Sequence, residues 1–74
     1  MSERNGNMRP VWALVGRARP HLPASQLRFI GSTFQLHQRE ILLAAAGLGE
    51  LPDFELAQQL LTVARRLHRE TVRP

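Results

Sequence analysis

The 74-residue sequence has no cysteine and no lysine, and no stretch of it approaches the roughly 20 consecutive apolar residues of a membrane-spanning helix. The missing cysteines exclude disulfides, thiolate metal sites and thiol nucleophiles, and agree with a reducing cytosol. The missing lysine, and the lack of a preceding strand, exclude a phosphate-binding glycine loop around Gly47 and Gly49. The opening MSERNGNMRP is polar and lacks the apolar run of a signal peptide, so a cytoplasmic protein without membrane contact is expected. A single core in a chain this short supplies only about 3–5 kcal/mol. With disulfides excluded, association into a homodimer is the expected additional source of stability.

All ten basic residues are arginine, against six acids, for a net charge of +4. Residues 1–39 hold six arginines and one glutamate; residues 40–60 hold Glu40, Glu50, Asp53 and Glu55 with no base; residues 61–74 hold four arginines and Glu70. Basic ends around an acidic middle make a charge dipole, whereas a nucleic-acid binder more often shows one basic stripe.

Residues 1–8 read as a disordered terminus and residues 9–74 as one helical domain. In RPVWALVGRARPHLP, Pro10 suits a first helical position. Val11, Trp12, Leu14 and Val15 suit one or two turns, stopped by Gly16 and Pro20, with Trp12 as the packing anchor. Pro23 then opens the main helix. Leu27, Ile30, Phe34, His37, Ile41, Ala44 and Leu48 recur in steps of three and four, and a second row, Phe29, Leu36 and Leu43, is spaced by seven. Two seams on one helix require two neighbours. Gly31 within this run is either a flaw or a point of close helix approach, and Gly47 stands where a left-handed C-cap belongs. After the GLGELPD turn, Asp53 suits an N-cap, and the last helix, about 53–72, puts Leu56, Leu60, Val63 and Leu67 on one side.

No strand-like alternation is sustained. The expected fold is all-α: a short N-terminal helix and an antiparallel helical hairpin, two copies of which form a four-helix bundle. The hairpin hides one seam of the main helix and leaves the other as an interaction surface. The candidate dimer or partner interface is therefore Trp12, Leu27, Phe29, Ile30, Phe34, Leu36, Ile41 and Leu43.

Catalytic chemistry finds no support. His37 and Glu40 are one turn apart, but HQRE lacks the HExxH spacing and no further ligand accompanies it. Ser25, Ser32 and Thr33 have no base at a suggestive spacing. No enzyme activity, metal or cofactor is expected. Arg65, Arg66, Arg69 and Arg73 form the candidate charged contact, suited to an acidic protein face or to phosphates. FELAQQL followed by LTVARRLHRE resembles a helix-turn-helix, with Ala57 at the small position, but Leu61 replaces the glycine of the turn. LHQREILLAAAGL resembles the opening of LuxR-type DNA-binding domains, with a shorter spacing between Glu40 and Gly47.

RPVWAL, LPASQL and LRFIGSTFQLH together resemble the TraM-type antiactivators of quorum sensing. That family has Arg-Pro before a short apolar stretch, Leu-Pro leading into a helix, and a similar apolar helical run ending in histidine. The likeness covers about half the chain, and joining all three segments requires a deletion relative to the family. It implies a helical dimer that binds a LuxR-type transcription factor and blocks its contact with DNA. The alternative expectation is a small basic DNA-binding regulator that uses the arginine-rich last helix.

Overall fold

A computed structural model describes residues 7–72. Four α-helices account for most of them: α1 (Arg9–Ala18), α2 (Ala24–Leu36), α3 (Gln38–Ala44) and α4 (Asp53–Thr71). Short 3-10 turns at Arg19–His21 and Leu48–Glu50 follow α1 and α3. Among the described residues there is no strand.

α4 is the axis of the core. Its repeating apolar positions, Leu56, Ala57, Leu60, Val63, Ala64 and Leu67, are all buried. They are met by Met8, Val11 and Ala18 from the α1 side and by Ile30, Phe34 and Ile41 from α2 and α3. The arginines, glutamines and Thr62 of α4 remain outside. A helix with one apolar stripe gains stability only by covering it, and here α1 and α2 share that task. Among the described residues no buried side-chain nitrogen or oxygen lacks a hydrogen-bond partner.

The expected single long helix is two helices. The chain breaks at His37, with φ −124° and ψ 48°. His21 stacks on Phe54 near the start of α4, whereas His37 meets Thr71 at its end, so α2 runs alongside α4 in the same sense. A straight helix from Ala24 to Leu48 would be roughly 37 Å long, against roughly 28 Å for α4. Continued past His37, it would carry Ile41 beyond the end of α4 into water. The turn sends α3 back instead, and Ile41 becomes fully buried. The antiparallel hairpin of two long rods is thereby replaced by a parallel pair, α2 and α4, joined through a return segment.

α1 is also longer than its sequence suggests, running through Gly16 to Ala18, with Pro20 inside the following 3-10 turn. Its fully buried residues are Val11 and Ala18; Trp12 is only half-buried. Met8 joins the core just before α1, so packing begins earlier than the expected boundary at residue 9. The rest of the expected disordered terminus, residues 1–6, lies outside the described residues.

Asp53 is the first residue of α4 rather than its cap, a position held by Pro52. Its carboxylate instead accepts a 2.8 Å hydrogen bond from Arg17 Nε. The same guanidinium donates to the carbonyls of Gly49 at 2.9 Å and Leu51 at 2.6 Å. One side chain thus fastens α1 to the segment that re-enters α4.

Gly47 has φ +87°, the left-handed conformation expected at a helix end. A Cβ at Gly31 would meet nothing within 4 Å, which settles its role: no close helix approach requires it. These two glycines should respond oppositely to alanine. Gly31→Ala should raise stability by about 0.5–1 kcal/mol, because an open helical site gains only propensity. Gly47→Ala should lower it by about 1–2 kcal/mol through the cost of positive φ. Urea denaturation of both variants measures the two signs.

Candidate interaction surface

The two rows of the former long helix meet different fates. Ile30, Phe34 and Ile41 are sealed in the chain's own core and present nothing to a partner. Leu27, Phe29 and Trp12 are half-buried. Phe29 is covered in part by His68, whose ring lies edge-on at 5.3 Å. Leu36 and Leu43 point outward, 76% and 75% exposed. Of the eight expected interface residues, these two therefore remain largely uncovered. Leu36 is the last residue of α2, just before the His37 turn, and Leu43 lies near the C-terminal end of α3.

Phe54 and Val72, near the two ends of α4, are further exposed apolar groups, and sequence reasoning did not assign them to a surface. A shallow apolar groove of about 320 Å³ also lies between α1 and the α3 segment. Pro10, Val11 and Leu14 form one wall; Leu42, Ala45 and Ala46 form the other, with Gly49 at the end. Leu42 and Leu43 are consecutive, so α3 lends one side chain to the groove and the next to the solvent. Helical spacing alone could not reveal the groove, because its walls come from segments about thirty residues apart.

His37 works at the turn as a hydrogen-bonding strut. Thr71 Oγ1 donates to the Leu67 carbonyl at 3.0 Å, which leaves that oxygen as the acceptor for His37 Nε2–H at 2.5 Å. The other ring nitrogen faces Glu40 Oε1 at 3.8 Å. His68 is turned towards Phe29 and does not join them. Among the described residues, no group of three or more His, Asp or Glu side chains gathers in a way that could hold a metal ion.

Arg65, Arg66 and Arg69 are exposed on α4; Arg73, the fourth residue of that set, lies outside the described residues. α4 passes through Leu61 without interruption, so the helix-turn-helix resemblance has no turn at this point. No known protein family, curated protein or solved structure matches the chain.

The strut predicts a coupled pair. Removing one hydrogen bond of this kind costs about 0.5–1.5 kcal/mol, and replacing both partners costs little more than replacing one. His37→Ala and Thr71→Val should each destabilise the fold by that amount, with a double variant well short of their sum. Chemical denaturation of the four proteins in the cycle provides the check.

Proposed function

We propose that this chain is a small dimeric regulatory protein that acts by binding other proteins. The observation that carries the reading is the exposure of Leu36 and Leu43 at the ends of two packed helices. Large aliphatic side chains held outward on ordered helices favour association, since covering each removes apolar surface from water at roughly 25 cal/mol per Å². The small core makes that contribution valuable to the fold itself. In this reading Leu36 and Leu43 form the dimer surface, and Trp12 with the adjoining groove supports either the second copy or the target.

The resemblance of RPVWAL, LPASQL and LRFIGSTFQLH to TraM-type antiactivators points to a LuxR-type transcription factor as the target. The first segment forms residues 9–14 of α1, and the other two supply the start and length of α2. Binding would occupy the factor and keep it from its promoter. The proposed activity is sequestration, without chemical change to the bound protein.

Size-exclusion chromatography with light scattering tests the assembly. The expected species at micromolar concentration has twice the 8.4 kDa chain mass. Leu36→Glu combined with Leu43→Glu should give a monomer that keeps its helical circular dichroism. A native chain that is monomeric under those conditions removes the proposal. For the target, adding the chain to a purified LuxR-type factor on its promoter should release the DNA. Undiminished promoter occupancy would exclude that target class.

A further inference from the structure

α4 carries an outward surface whose chemistry differs from that of Leu36 and Leu43. Gln58, Gln59, Thr62, Arg65, Arg66 and Arg69 are exposed and recur in steps of three and four, opposite the buried stripe. The stripe is therefore held on a helix whose other side is fixed in the core. Among the described residues, no carboxylate lies within 4.0 Å of the three guanidiniums, although Glu70 follows Arg66 by one turn. The helix dipole does not account for all of this charge. Its influence fades beyond the last turn, and Arg65 and Arg66 precede that turn.

The chemistry of the stripe selects its partner. A protein interface is usually anchored by aromatic or aliphatic side chains in pockets; the six stripe residues include none, and the exposed Phe54 lies one turn before Gln58, outside the cationic half. Firm seating on an anionic bilayer adds an inserted apolar helix face to charge attraction, and that face of α4 is committed to the core. A polar, unpaired cationic surface suits a polyanion, whose complexes are polar and rich in arginine contacts. The major groove of DNA admits an α-helix, and arginine and glutamine are the side chains that pair with guanine and adenine edges there. The corresponding groove of duplex RNA is too narrow. Glu55 lies about 15 Å along the helix from Arg65, which confines phosphate contact to the C-terminal half.

We infer that the outer stripe of α4 is a docking surface for duplex DNA, with Arg65, Arg66 and Arg69 on phosphates and Gln58 and Gln59 facing base edges. This surface is separate from the apolar one at Leu36 and Leu43 and does not depend on it.

The test is fluorescence anisotropy with a labelled 20-base-pair duplex of mixed sequence, titrated at salt concentrations from about 50 to 200 mM. Three neutralised phosphates give a slope of log K against log salt of about −2.7, a loss of about 40-fold over that range. Arg65→Ala, Arg66→Ala and Arg69→Ala should each make the slope shallower by about 0.9 while leaving the helical spectrum unchanged. Arg66→Lys should retain the native slope. The inference is overturned by absence of binding at the lowest salt, by a slope that the alanine variants do not alter, or by capture on phosphatidylglycerol vesicles in place of DNA.

Discussion

The turn at His37 is the constraint on which the rest of the structure depends. α2 reaches the far end of α4 at this residue, so the chain must reverse there or lose Ile41 to water. Reversal makes α3 a return strut, and the following segment brings the chain back to the start of α4 beside Arg17. The His37–Thr71 hydrogen bond holds the reversal against the last turn of α4. Burial of Ile41 supplies the driving force, and the hydrogen bond supplies direction, as expected when apolar burial dominates and polar contacts specify geometry.

The same turn explains why the apolar rows of the sequence do not form one continuous surface. Phe29, Leu36 and Leu43 share a face only if the helix is straight. Once it breaks, Phe29 is drawn against His68, whereas Leu36 and Leu43 stay outside on separate helices. What remains uncovered is smaller than the sequence suggests and more sharply located. It sits near the C-terminal ends of α2 and α3, while the polar and cationic stripe occupies the outer side of α4. The proposed protein-binding and DNA-binding surfaces thus involve different elements.

Legibility in the sequence followed the range of the interactions. α4 was readable because Leu56, Leu60, Val63 and Leu67 repeat over about three turns of one uninterrupted helix, and Gly47 because positive φ at a helix end is a local demand. The break at His37 was not, since neither proline nor glycine marks it; the reason lies in the length of α4, some thirty residues away. Trp12 was overrated by its size, and Val11 took the inner position because α1 is rotated to face α4. Asp53 looked like a cap, but Arg17, distant in sequence, claimed its carboxylate. Of the candidate surface, Leu36 and Leu43 could be read from the pattern, whereas the groove between α1 and α3 required the fold.

The Arg17 fork carries a consequence for acid tolerance. Two of its three acceptors are main-chain oxygens, those of Gly49 and Leu51, which have no proton to gain. A guanidinium does not lose its own proton in proteins. The seam between the first helix and the re-entrant loop is therefore anchored chiefly by groups indifferent to acidity, and it should outlast any contact in the molecule whose partners exchange protons.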